Sequence, residues 1–166
     1  MLKRIYREKD RSRKLIEHSI LLADYFLNLQ ATISTEKLHF YTKTDLYTHT
    51  YLPTIRPDAY IAREGEQTKR YFLEIIDEGT PRFMIRKKIS NYFDYFEENT
   101  WQNTTGHQFP TVLLLCPNAT MMQFLQRHLS QVLEEEPNSE ISFYLSLTSP
   151  IKWIHALEEI ETAPGF

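Results

Sequence analysis

Three acidic residues lie close together in the first half of the chain. Asp58 follows Pro57 at the mouth of one extended segment, Glu74 sits inside the next, and Asp77 comes three residues later. The run around Glu74, Tyr71-Phe72-Leu73-Glu74-Ile75-Ile76, is otherwise apolar or aromatic. A carboxylate there is costly unless it is paired, hydrogen-bonded or coordinated. Two carboxylates brought together across a hairpin repel, and a shared proton or a cation must relieve that repulsion. Mg²⁺ suits the task, because it takes one or two carboxylates and keeps several waters. Near a phosphodiester such an ion generates a hydroxide nucleophile and stabilises the leaving oxygen. Asp58, Glu74 and Asp77 are therefore the candidate metal ligands.

The elements that must position these groups follow from periodicity. Lys14 to Leu29 carries an apolar stripe at helical spacing, including Ile16, Ile20, Ala23 and Leu27. Lys37 to Thr42 alternates as a strand does. Asp58–Arg63 and Lys69–Asp77, joined by Glu64-Gly65-Glu66-Gln67, read as a hairpin. Pro81 suits the entry to a helix bearing Ile85, Ile89, Tyr92, Phe93 and Phe96. The segment containing Trp101, Gly106 and His107 reads as a polar loop. The unbroken apolar run Thr111–Cys116 predicts a strand buried on both faces. A helix through Met121, Leu125 and Leu129, a strand over Ile141–Leu147 and a short helix around Trp153–Ile160 complete the chain. The expected order is α-β-β-β-α-β-α-β, an α/β domain with a mixed sheet.

Composition bounds the function classes. A chain of 166 residues with 42% hydrophobic and 13% aromatic residues has material for one real core, so it reads as a single domain, 1–166. One cysteine, Cys116, excludes an internal disulfide. No membrane span or signal-peptide pattern is present, and the expected location is cytoplasmic. The six histidines show no metal-ligand spacing, so zinc is not expected. A net charge of −3 weighs against indiscriminate coating of nucleic acid. The distribution is uneven, however. Seven basic residues between Lys3 and Lys14 face only Glu8 and Asp10, which predicts a basic N-terminal arm over 1–14. A second basic knot is Arg82, Arg86, Lys87 and Lys88.

Element order and acids together resemble the PD-(D/E)xK nuclease superfamily, whose restriction-endonuclease-like core runs α-β-β-β-α-β. Pro57-Asp58 and Glu74 match its two acidic positions, whereas Ile76 stands where the lysine belongs. The resemblance implies that Lys88, one turn into the following helix, supplies the ammonium, with Lys87 the less favoured choice. A narrower resemblance runs from about His18 to Leu129. Pro57-Asp58-Ala59, Tyr71 to Thr80, Lys88, Tyr92, Tyr95, Trp101 and Phe109-Pro110-Thr111-Val112-Leu113 are similar to the replication-relaxation family of bacterial plasmids and integrative elements. Two departures matter. The segment ahead of His18 is too short for the winged-helix region usual in that family, so the resemblance implies a minimal form, a degenerate copy or a fragment. The family's acidic pair is Glu-x-Asp, but Ile75 and Ile76 both intervene here, and residues three apart in a regular strand face opposite sides unless a bulge intervenes.

Two functions stand open at this point. In one, the chain is a DNA-associated replication-relaxation-like protein whose metal site is degenerate or inactive, working beside replication or mobilisation proteins or as a homodimer. In the other, it is an active Mg²⁺-dependent endonuclease or nickase with Asp58, Glu74 and Lys88 as catalytic residues. In both, Lys3, Arg4, Arg7, Arg11, Arg13, Lys14, Arg86 and Lys87 are the expected DNA-backbone contacts. The plainer alternatives are a solvated helix face for Lys87 and Lys88, a turn for Asp77-Glu78-Gly79-Thr80, and core packing for Tyr92, Tyr95 and Cys116.

Overall fold

A computed structural model describes residues 2–54, 56–137 and 139–158, with the backbone alone over 2–12. Among the described residues there are four α-helices and six strands. They are α1 (Leu2–Thr32), β1 (Lys37–Thr42), β2 (Ala59–Glu64), β3 (Thr68–Ile75), α2 (Arg82–Glu97), α3 (Thr100–Thr105), β4 (Thr111–Cys116), α4 (Ala119–Glu135), β5 (Phe143–Leu147) and β6 (Ile154–His155). A 3₁₀ turn, Asp45–Thr48, follows β1. No helix among the described residues is long and apolar enough to cross a membrane.

The strands form one sheet in sequence order, β1-β2-β3-β4-β5-β6. β1, β2 and β3 run antiparallel to one another, β3, β4 and β5 run parallel, and β6 returns antiparallel. Parallel neighbours need crossovers, and α2 with α3, then α4, supply them. β4 sits mid-sheet because its run of Val112 to Cys116 is buried throughout, as an uninterrupted apolar strand requires.

Alternation divides the sheet into two faces. Phe72, Val112, Leu114, Cys116, Phe143 and Leu145 pack with Ile85, Ile89, Tyr92, Leu125 and Leu129 of α2 and α4. Ala59, Ile61, Leu73, Ile75, Leu113 and Leu115 pack beneath Tyr25, with Leu21, Leu22 and Leu29 of α1 beside it. Each fully buried Val, Leu, Ile or Phe among them contributes roughly 1.5–3 kcal/mol by leaving water. The layers are therefore α1, then the sheet, then α2, α3 and α4.

Three readings of the sequence change. The segment 2–14, expected as an arm, continues α1 as helix. Thr100–Thr105 is a short helix rather than a polar loop, bounded by Asn99 and Gly106 in left-handed conformation and fastened by the Trp101 indole donating to the Gln108 carbonyl. The stretch Trp153–Glu158 is not helical, because Ile154–His155 pairs with Tyr144 and Leu145 instead. Residues 159 and 160 of that expected helix lie outside the described residues.

Candidate functional site

The acids meet where β3 ends and β2 begins, at the point where the sheet changes from antiparallel to parallel pairing. Asp58 precedes β2 but is held on both sides by backbone bonds. Its N–H donates to the Leu73 carbonyl at 2.9 Å, and its carbonyl accepts from Lys43 at 3.0 Å. Ladder pairing with β2 stops at Leu73, and the Asp58 carboxylate takes over beyond it, with Oδ2 accepting the N–H of Ile75 at 2.8 Å. Backbone geometry thus fixes the carboxylate.

Glu74 shares the face of Phe72, toward α2, and has no exposed surface. Lys88 and Tyr92 are one turn apart on α2 and reach it together. The Lys88 ammonium donates to Oε2, and the Tyr92 hydroxyl donates to Oε1 at 2.7 Å. Burial pushes the Glu74 carboxyl up to about 7, against the Lys88 charge and hydrogen bond and the Tyr92 hydroxyl, which pull it down. Burial alone would lower Lys88, but the carboxylates of Glu74, Asp58 and Asp77 outweigh it and raise the ammonium instead. The ammonium that Ile76 cannot provide thus arrives from the helix.

Asp77 lies two residues beyond the end of β3, where strand alternation no longer applies. No bulge is needed to turn it toward the others. Its partner is His18 of α1, which no metal-ligand spacing among the histidines singles out. His18 Nδ1 lies 2.8 Å from Asp77 Oδ1, and Nε2 lies 3.0 Å from Asp58 Oδ1. A hydrogen bond to Asp58 raises the imidazole most; burial opposes it, and the charges of Asp58 and Asp77 add to the rise, which reaches about 9. His18 is therefore an imidazolium at neutral pH, donating from both nitrogens. The Asp58 carboxyl is held low: burial pushes it up, but His18, Lys88 and the Ile75 N–H outweigh that.

A signal for His18 does exist in the sequence. It sits on the inward stripe His18, Leu21, Leu22, Tyr25, Leu29 of α1, where an ionisable group among apolar ones needs a buried partner. Tyr92 had a signal too, four residues after Lys88 on one helix face.

These groups open onto a cleft of about 1550 Å³ between α1, the end of β1 and α2. Asp58 and Asp77 line it, while Lys14, Lys43, Lys87, Lys88 and the His18 imidazolium stand around them. His18 and Lys88 are taken up by Asp58, Asp77 and Glu74, so Lys14, Lys43 and Lys87 are the cations that leave the cleft positive in a chain of net charge −3. Apolar walls come from Leu15, Leu22, Phe26, Phe40 and Met84.

The expected DNA contacts divide. Lys14 and Lys87 line the cleft. Arg13 pairs with Glu17 at 2.9 Å. Arg86 is turned toward α4, its guanidinium 5.3 Å from the Phe124 ring centroid. The side chains of Lys3, Arg4, Arg7 and Arg11 lie outside the described residues, although their backbone is helical. A scan against protein-family models, a search of curated proteins and a search of solved structures each find no match.

Proposed function

We propose that this chain is a DNA-associated protein of the replication-relaxation type, with a restriction-endonuclease-like core whose acidic site is balanced by its own cations and does not cut. The observation that carries this reading is the set of partners on the acids. Asp58 is bonded to His18 and the Ile75 N–H, Glu74 to Lys88 and Tyr92, and Asp77 to His18. Asp58, Glu74 and Asp77 are hard oxygen donors of the kind that would hold Mg²⁺, which supplies a nucleophilic hydroxide when bound. To hold it, they must give up an imidazolium and an ammonium that already neutralise them. The positive cleft then serves to hold phosphates rather than break them. Lys14, Lys43 and Lys87 are the phosphate contacts, and replication or mobilisation proteins are the partner class.

Anisotropy of a labelled 20-bp duplex tests the binding half. With about three lysines on phosphates, log K falls against log salt with a slope near −3. The combined Lys14→Ala, Lys43→Ala and Lys87→Ala variant loses most of that slope. A duplex that fails to bind at 50 mM salt, or binds the triple variant equally well, overturns the reading.

A second reading has its own support. Lys88 arrives on Glu74 from α2 beside Asp58, which gives two acids and an ammonium in one place, as an active Mg²⁺-dependent endonuclease requires. In that reading His18 releases Asp58 before the cleft works.

A further inference from the structure

Among the described residues, none covers the face of the sheet opposite α1 as far as its edge, where Tyr41 is exposed. Helix α3 reaches as far as Tyr60 on β2, whose ring centroid is 5.4 Å from that of Trp101. Beyond it, on edge strand β1, the same face carries Lys37, His39 and Tyr41, by strand alternation and by the pairing of Tyr41 with Tyr60. The rings form a ladder. His39 and Tyr41 are 6.4 Å apart with planes 9° from parallel, and Tyr41 and Tyr60 are 6.1 Å apart at 16°. Tyr41 is 43% exposed. Strand β3 adds Arg70, which the β2–β3 pairing places on the same face as Tyr60.

We infer that this ladder is a stacking platform for the bases of single-stranded nucleic acid. Aligned aromatic faces accept successive bases whatever their identity, and cations beside them track the backbone. Lys37 and Arg70 stand on that face, where the carboxylate of Glu64 is taken up by His39 at 2.9 Å, and Lys43, one residue past the end of β1, lines the cleft. A protein strand adding to the edge of β1 would use backbone groups instead and would leave the rings idle. The inference rests on the nucleic-acid reading of the cleft and specifies the strand form.

The test compares labelled oligo(dT)₂₀, an abasic oligomer of equal length and a 20-bp duplex by anisotropy. Each is measured with wild type, Tyr41→Ala, Tyr41→Phe and Lys87→Ala, after circular dichroism has shown that every variant is folded. Tyr41→Ala is expected to weaken oligo(dT) binding about 5- to 150-fold, the range for one lost base stack. Tyr41→Phe stays within about twofold, and the abasic oligomer binds wild type at least as weakly as oligo(dT) binds Tyr41→Ala, because it lacks every stack. Equal affinity of oligo(dT) for wild type and Tyr41→Ala overturns the platform. Duplex binding that Lys87→Ala weakens then leaves the cleft reading standing alone. Absence of both single-strand and duplex binding overturns both. A change in sedimentation on Tyr41→Ala with oligo(dT) affinity unchanged assigns the ladder to self-association and overturns the inference.

Discussion

Glu74 combines zero exposure with two hydrogen-bond partners, and its stability follows from how those partners would be left without it. Glu74→Ala strands the Lys88 ammonium beside an apolar sheet and leaves the buried Tyr92 hydroxyl unbonded. Its expected cost is about 3 kcal/mol. Glu74→Gln keeps an acceptor for Tyr92 and is expected to lose less. Urea denaturation of the two variants measures both, and a Glu74→Ala chain as stable as wild type would show that the pair does not hold α2 to the sheet. His18 carries a separate prediction, because its two acceptors come from opposite ends of the acidic cluster. Its imidazole is expected to titrate near 9 by NMR and to fall back toward the ordinary histidine value in Asp58→Asn, since the hydrogen bond to Asp58 is the largest cause of the rise. A His18 that titrates normally in wild type would contradict the bridge between Asp58 and Asp77.

At the scale of elements, the link from Asp77 to α2 depends on Gly79, which has φ of +79° and open space around its missing Cβ. Gly79→Ala meets no atom, so its expected cost is the backbone term alone, about 1 kcal/mol by thermal melting. A loss several times larger would mean that the turn shifts and carries Asp77 with it. The elements themselves were mostly legible in the sequence, for stated reasons. β4 announced itself by an apolar run too long to be half-exposed, α2 by its stripe after Pro81, and the β2–β3 hairpin by Gly65 between two alternating runs. α3 was not legible, because Trp101 is its one large apolar residue and tertiary contacts, not periodicity, hold it. The site was legible in part. Asp58, Glu74 and Lys88 stand out by residue type against their surroundings. Asp77 is out of phase with Glu74 only in a strand that runs on to Asp77, and β3 ends at Ile75. His18 is 40 residues from Asp58 and 59 from Asp77, so no local spacing connects them until the sheet and α1 are packed.

For the whole molecule, the same groups give a pH dependence with a definite sign. His18 is raised from 6.5 to about 9 by folding, so its contribution is complete below 6.5 and is lost as pH rises to about 9. Glu74 is raised from 4.5 to about 7, so its effect also favours the folded state at lower pH and fades through that window. Asp58 is lowered from 3.8, so its contribution is present above that value and is lost as pH falls below it. Stability is therefore expected to peak between about pH 3.8 and 4.5, where Asp58 is ionised and the Glu74 contribution is still whole, and to decline from there toward pH 9. Denaturation midpoints across that range check it, and a midpoint that rises steadily to pH 9 would contradict the assignment of charges. The positive cleft and the neutralised acids belong to one account, in which the chain holds DNA without cleaving it. Its most direct test is incubation of supercoiled plasmid with the wild-type chain and with Glu74→Ala, in Mg²⁺ and in Mn²⁺. The account predicts a retarded but still supercoiled plasmid for both chains. Metal-dependent nicking by wild type that disappears in Glu74→Ala would contradict it.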